Sequence, residues 1–237
     1  MNNKELFLQE MLISANPAKV PGAMGFFKTA KGEYGEGDLF WGLTVPQQRT
    51  ISKKYYKLLT LDDLGELIRH EVHEVRLTTL MMMVTRYQKC PDDLCKEGVA
   101  RLYLDNLDFV NNWDLVDSSA HHILGDWFFS RYREQLFALA RSGHLWRQRV
   151  AVIATFGFIR RGDFGTTFEL AKLLMDHKHD LIHKALGWML REIGNLDYNA
   201  EYRFLAQHYS EMPRTMLRYA IEKFDEKTRQ DFLKGRI

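Results

Sequence analysis

The segment Asn-Asn-Trp-Asp-Leu-Val-Asp at positions 111–117 carries the side chains best suited to chemistry. Trp113 and Asp117 are four residues apart, so on a helix they share one face, one turn apart. A carboxylate on that apolar face costs on the order of several kcal/mol unless it is paired or hydrogen-bonded. A fixed carboxylate can stabilise a developing positive charge, and the face of an indole attracts a cation. Asp117 and Trp113 are therefore candidates for a catalytic site.

The same segment also has simpler interpretations. Asn112 is typical of a helix N-cap, and Asp114 of a first-turn carboxylate stabilised by the helix dipole, so neither needs a function. Asp117 could itself be structural, with Arg149 as its salt-bridge partner.

A second tryptophan, Trp188, follows Gly187 in a strongly helical run. A tryptophan on such a helix usually belongs to the core. Glycine costs about 1 kcal/mol relative to alanine in a helix, so its presence indicates close packing or the approach of a ligand beside Trp188.

The sequence predicts that helices position these residues. Apolar residues recur every three or four positions over long windows, and alternation of period two is scarce. Only Pro91 and Pro213 occur after residue 47. We predict an all-α chain with a single domain over residues 1–237. In it, residues 1–60 form irregular N-terminal helices and a glycine-rich loop at 32–42, and residues 61–237 form helical repeats.

Residues that open helix-like apolar segments recur at intervals of 37, 36, 35 and 34: Arg76, Trp113, Arg149, Lys184 and Arg218. Stacked helix pairs have repeats of about 35–45 residues, and their second helices commonly line the concave side. We therefore predict a right-handed α-solenoid of HEAT-like repeats with a concave basic groove. Trp113, Asp117, Arg149, Lys184 and Trp188 would then share one surface.

Charge is unevenly distributed, although the formal net charge is only +2. Residues 91–126 hold eight acids against two basic residues, whereas residues 131–161 hold seven arginines against one glutamate. Arginine binds phosphate bidentately, so the basic segment indicates a polyanion ligand. A solvated surface paired with the neighbouring acidic segment would explain the same pattern.

Other patterns disfavour several classes of protein. The longest apolar stretch, residues 150–159, is shorter than the ~18 residues that span a bilayer, and charged residues interrupt the N-terminus, so we expect no membrane partner and no export. Cys90 and Cys95 are too few for a disulfide framework and are interpreted as ordinary thiols.

Metal and nucleotide cofactors are also not expected. At most two of His177, His179 and His183 share a helical face, and no carboxylate or thiolate completes a tetrahedral metal site. The glycine spacings at 22–42 match neither a P-loop nor a dinucleotide fingerprint.

Three segments in this order resemble the bacterial DNA alkylation repair family of HEAT-like-repeat DNA glycosylases: residues 111–117, 145–149 (Leu-Trp-Arg-Gln-Arg) and 184–192 (Lys-Ala-Leu-Gly-Trp-Met-Leu-Arg-Glu). The resemblance implies that Asp117, Trp113 and Trp188 surround the lesion nucleotide, and that Arg149 contributes to the same site. Residues 42–49 resemble the family's N-terminal element, which implies that Arg49 contacts the DNA backbone. The chain departs from some members at Thr44, where they carry glutamine, and in the glycine-rich stretch before Phe40.

This resemblance implies a DNA glycosylase for N3- or N7-alkylated purines in duplex DNA, which initiates base excision repair. We expect a cytoplasmic, nucleoid-associated monomer without metal or cofactor. The expected catalytic residues are Asp117, Trp113 and Trp188, and the expected DNA contacts are Arg149, Lys184, Arg191, Arg49 and Arg218. The alternatives are a noncatalytic HEAT-repeat module for damaged or branched DNA, and a protein-interaction scaffold that docks through residues 91–126.

Overall fold

The computed structural model describes residues 2–237, which divide into two compact units with the boundary between Ile123 and Leu124. Within these residues the secondary structure is helical, and the β pairing consists of one isolated parallel bridge between Leu39 and Val72. The predicted all-α fold is confirmed. No described helix combines the length and apolar composition needed to cross a bilayer.

The helices that begin in the first unit are α1 (Asn3–Ile13), α2 (Val20–Phe26), α3 (Val45–Tyr55), α4 (Leu61–Leu67), α5 (His73–Gln88), α6 (Asp93–Asp105), α7 (Trp113–Asp117) and α8 (Ala120–Trp127). Short 3-10 helices cover Pro17–Lys19 and Leu107–Phe109.

The helices of the second unit are α9 (Glu134–Ala140), α10 (Leu145–Ala154), α11 (Phe156–Ile159), α12 (Gly165–Leu173), α13 (Asp180–Leu196), α14 (Tyr198–His208), α15 (Arg214–Ala220) and α16 (Glu226–Lys234). A 3-10 helix covers Ile221–Lys223.

Helix α5 is the centre of the first unit. It packs against α3, α4, α6 and α7, and the residues from His73 to Leu80 are all buried. Residues 27–44, which include the glycine-rich stretch, contain no helix. Gly32, Gly37 and Gly42 have φ values of 82°, 88° and 82° there, a region that glycine enters without a steric penalty.

Helix α13 is the centre of the second unit, where it packs against α10, α12, α14 and α15. A Cβ atom on Gly187 would lie 2.4 Å from the carbonyl oxygen of Met216 and 2.5 Å from Cβ of Tyr219. The backbone of α15 therefore lies directly against Gly187, which confirms the close packing expected beside Trp188.

The periodic residues occupy α5, α7, α10, α13 and α15, but only Trp113 is the first residue of its helix. The expectation that Arg76, Arg149, Lys184 and Arg218 open their segments is wrong, because these helices begin three or four residues earlier. The first turns of these helices already contain apolar residues such as Leu145, Leu181 and Met216, so the apolar pattern begins before the residues from which the repeat was counted.

Cys90 and Cys95 form a disulfide bond with their Cα atoms 5.5 Å apart. Their interpretation as ordinary thiols is wrong. The chain turns back between α5 and α6, which pack against each other. This turn brings Cys95, in the first turn of α6, close to Cys90 just after the end of α5, so local geometry pairs two residues whose spacing matches no framework pattern.

Candidate functional site

Helix α7 carries two of the predicted catalytic side chains. Asn112 is its N-cap, as the sequence predicts, and the Asn112 side chain accepts a hydrogen bond of 2.9 Å from the backbone N–H of Trp113. Leu115 and Val116 are fully buried and anchor the helix in the unit. Trp113 and Asp117, at the two ends of α7, are partly exposed. The helix therefore presents the indole and the carboxylate one turn apart, where solvent reaches both.

The negative charge of Asp117 affects the pKa of a buried residue, Tyr103. Tyr103 is fully buried, and its hydroxyl lies 2.9 Å from the hydroxyl of Ser119. Burial raises the pKa of Tyr103 above its usual value, and the negative charge of Asp117 raises it further. The phenol therefore stays neutral beside the carboxylate.

Trp113 lies at the end of a row of aromatic rings. It stacks on Phe27 with ring centroids 5.5 Å apart and planes 25° apart, and it meets Phe26 edge-on at 5.5 Å. Phe27 in turn stacks on Phe40 at 5.3 Å and touches the ring of His73 at 4.6 Å. Such ring contacts contribute about 0.5–1.5 kcal/mol each beyond the area they bury, so the indole is held from one side by the loop and α2.

A buried chain of ionisable groups, which we call the clasp, joins the loop, α5 and α7. His73 Nε2 lies 2.8 Å from Oδ2 of Asp114, and His73 Nδ1 lies 2.9 Å from Oδ2 of Asp38. Arg76 NH2 donates to Oδ1 of Asp38 at 2.5 Å and to Oδ1 of Asn111 at 3.2 Å. The clasp thus consists of Asp38, His73, Arg76 and Asp114, and it ties the residues beside Trp113 to the centre of the unit.

The clasp carries balanced charge when His73 is protonated. Burial opposes protonation, but the charges and hydrogen bonds of Asp114 and Asp38 outweigh it and raise the pKa of His73 to about 9. Burial also tends to raise the pKa of Asp38, but His73 and Arg76 outweigh that effect and hold this pKa below its usual value. Two cations and two carboxylates therefore face one another at neutral pH.

Sequence reasoning missed the clasp. It explained Asp114 by the helix dipole alone, whereas the structure also pairs this carboxylate with His73. The available signals were the place of Arg76 at the head of the periodic series and the position of Asp38 between Gly37 and the apolar pair Leu39-Phe40. Neither signal identifies a partner.

Glu74, next to His73, accepts hydrogen bonds from the backbone of the loop. Its Oε1 accepts hydrogen bonds from the backbone N–H of Gly42 at 2.8 Å and of Leu43 at 3.2 Å, and its Oε2 accepts one from Trp41 at 3.1 Å. A cavity of about 220 Å³ lies beside these groups, lined mainly by apolar side chains and also by His73 and Asp114.

In the second unit the structure brings Arg149, Lys184 and Trp188 onto the packed pair α10 and α13. The buried Arg149 donates from NH1 to the carbonyl oxygen of Leu181 in the first turn of α13. Lys184 pairs with Asp180 at 2.7 Å.

Trp188 lies one turn further along α13. Its Nε1 donates to Oε1 of Glu192 at 2.9 Å, and its partly exposed ring lies 5.9 Å from that of Phe156. The indole is therefore oriented by a hydrogen bond and by its contact with Phe156.

The other predicted DNA contacts differ in exposure. Arg49 on α3 and Arg218 on α15 are exposed. Arg191 on α13 is partly exposed and forms ion pairs with Glu222 and, at 3.9 Å, with Glu192. A phosphate group would have to compete with these carboxylates for Arg191.

The histidines at 177–183 are used within the second unit. His177 Nε2 lies 3.0 Å from Oε1 of Gln148, His179 Nδ1 accepts from the backbone of Leu181 at the start of α13, and His183 Nε2 lies 2.5 Å from the carbonyl oxygen of His177. These contacts orient the start of α13.

Comparison with known proteins identifies the class. The family model for DNA alkylation repair enzymes matches residues 7–224, which is most of the chain. The protein therefore belongs to the DNA alkylation repair enzyme family, and the resemblance found in the sequence is confirmed. Membership makes it an enzyme of DNA alkylation repair.

A solved structure described as a predicted DNA alkylation repair enzyme from Enterococcus faecalis is similar with a TM-score of 0.69 and 14% sequence identity. The similarity covers 90% of this chain and 98% of that chain, and at this identity it shows the shared fold. Curated protein sequences give no match.

Proposed function

We propose that this protein is a DNA glycosylase that hydrolyses the N-glycosidic bond of N3- or N7-alkylated purines in duplex DNA. The observation that carries the proposal is the arrangement on α7. A carboxylate, Asp117, and an indole, Trp113, lie one turn apart and accessible to solvent in a member of a DNA alkylation repair family.

The chemistry of the lesion suits one carboxylate. Alkylation at N3 or N7 makes the purine cationic, so the base can leave as a neutral molecule without a general acid. The transition state resembles an oxocarbenium ion, as in glycoside hydrolysis. Asp117 would stabilise that charge and hold the attacking water. The faces of Trp113 and Trp188 would add about 1–2 kcal/mol of cation–π stabilisation when desolvated.

The basic residues would bind the phosphates of the duplex. Arg49 and Arg218 are exposed, which suits sequence-independent phosphate contacts. Lys184 and Arg191 would exchange their carboxylate partners for phosphate. Buried Arg149 is fixed by α13 and would supply a preorganised positive charge.

The test is incubation of the wild-type protein with methylated duplex DNA, followed by chromatography of the released bases. We expect release of N3-methyladenine or N7-methylguanine. Binding of the duplex without release of a base would instead favour the noncatalytic DNA-binding module, and no affinity for DNA at low salt would favour the interaction scaffold.

The phosphate contacts predict a specific salt dependence. Arg49→Ala and Arg218→Ala are each expected to reduce the slope of log K against log salt concentration by about 1, because each loses one phosphate contact. The slope is measured by fluorescence anisotropy with a labelled duplex. Arg101→Ala is the matched control, because Arg101 is also exposed but lies in the acidic segment and pairs with Glu97 at 2.6 Å. Equal slopes for all three variants would remove Arg49 and Arg218 from the interface.

A further inference from the structure

We propose that the clasp is the positioning device of the candidate active site: the hydrogen bond between His73 and Asp114 fixes the rotation of α7 and thereby the direction in which Trp113 and Asp117 face. This inference rests on the proposed function for its kinetic consequence, but its geometry belongs to the first unit alone.

Helix α7 needs such a device because it has only five residues. A helix of this length does not persist through its own hydrogen bonds. The burial of Leu115 and Val116 holds it against the core, but apolar contact is not directional. Hydrogen bonds require defined distances and angles, so a charged hydrogen bond from the first turn sets the rotation.

The bond between Asp114 and His73 is well placed for this purpose. Asp114 follows Trp113 directly and precedes Asp117 by three residues, so its position determines theirs on a rigid turn. Its other oxygen, Oδ1, is buried and accepts no hydrogen bond within residues 2–237. The bond to His73 is therefore the compensation for burying this carboxylate.

Because the clasp consists of charged groups, its hold on α7 depends on whether His73 is protonated. Asp114 on α7 and Asp38 in the loop contact the ring of His73 directly. Arg76 bonds the same Asp38, and Glu74 and Lys19 line the cavity beside His73. If His73 loses its proton, Asp38 still has Arg76 as a partner, but one of the two carboxylates loses its hydrogen bond from the ring, which is costly in a medium of low dielectric constant.

The sign of the pH effect follows from the raised pKa of His73, which is about 9 against an ordinary value of 6.5. The protonated clasp contributes its full stability below pH 6.5, and this contribution is lost as the pH rises through about 9. Helix α7 should be held less firmly in its orientation over the same pH range.

The experiment compares the wild type with Asp114→Asn, which keeps the size of the side chain but removes its charge. We expect the single-turnover rate of base release at neutral pH to fall about 10- to 100-fold, because misplaced groups lose orientation, while the affinity for duplex DNA stays unchanged. The alkaline loss of rate near pH 9 should move to lower pH, because Asp114 no longer raises the pKa of His73.

Leu136→Ala is the control for stability. Leu136 is fully buried on α9 in the second unit, so this variant is destabilised without contact with the clasp. We expect it to keep the neutral rate and the alkaline limb of the wild type. Equal behaviour of the two variants, or a wild-type rate and limb in Asp114→Asn, would overturn the proposal.

A second measurement does not require base release. The indole N–H signal of Trp113, assigned by its absence in Trp113→Phe, should shift with a midpoint near pH 9 in the wild type and at lower pH in Asp114→Asn. If the wild type releases no base, the proposed function is refuted. The pH titration of the Trp113 signal then tests by itself whether the clasp positions α7. An unchanged titration in Asp114→Asn would refute the positioning role.

Discussion

Asp117→Asn is expected to lower the rate of alkylpurine release about 10²- to 10³-fold, which corresponds to about 3–4 kcal/mol in the activation barrier. The amide keeps the size of the side chain and its place at the end of α7, but it carries no negative charge to stabilise the oxocarbenium-like transition state. The measurement is single-turnover base release from a methylated duplex. Affinity for that duplex should change little, since the lost interaction is strongest in the transition state.

The control for this prediction is Asp62→Asn, which makes the same substitution at an exposed acid in the first turn of α4. Its rate should equal that of the wild type. A wild-type rate in Asp117→Asn itself would refute the catalytic assignment, provided that the wild type releases bases and that thermal denaturation shows the variant to be folded.

Gly187→Ala is expected to reduce the free energy of unfolding by about 2–3 kcal/mol, even though alanine is the better helix former. The new methyl group would lie 2.4 Å from the carbonyl oxygen of Met216 and 3.2 Å from the backbone N of Ala220. Backbone atoms cannot swing aside as the end of a side chain can, so α13 and α15 would have to separate. The melting temperature, followed by far-ultraviolet circular dichroism, should fall by about 5–10 °C.

Gly98→Ala provides the matched control in another helix. There the added Cβ would meet Cδ1 of Leu61 at 3.3 Å, which is the tip of a flexible side chain. The helical preference of alanine should therefore offset the contact and leave stability within about 1 kcal/mol of the wild type. If Gly187→Ala proved as mild as this control, the close packing of α15 on α13 would not be needed for stability.

The features that the sequence predicts correctly are local, because each depends on residues that are close together in the chain. Asn112 caps α7 because its side chain reaches the N–H of the next residue. Gly187 stands out because glycine is unfavourable in a helix unless another backbone comes close. The all-α fold follows from apolar periodicity for the same reason, since it is a local pattern repeated along the chain.

The clasp could not be predicted in this way. His73 is 35 residues from Asp38 and 41 residues from Asp114, and nothing in the spacing of these residues selects one partner over another. The raised pKa of His73 depends on the two carboxylates, Asp114 and Asp38, that folding brings against its ring and whose effect exceeds the opposing effect of burial. Only the packing of α7 on α5 turns an ordinary helix-start carboxylate into the partner of an imidazolium.

The carboxylate of Glu74 bears on how this protein can hold DNA. Three successive amide groups converge at residues 41–43, an arrangement that proteins often use as an anion-binding nest for phosphate. Here the nest is already filled by a side chain of the same unit. Its positive potential stabilises the loop, so a duplex bound as proposed would be held in this region by cationic side chains such as Arg49, and this binding should weaken as salt is added.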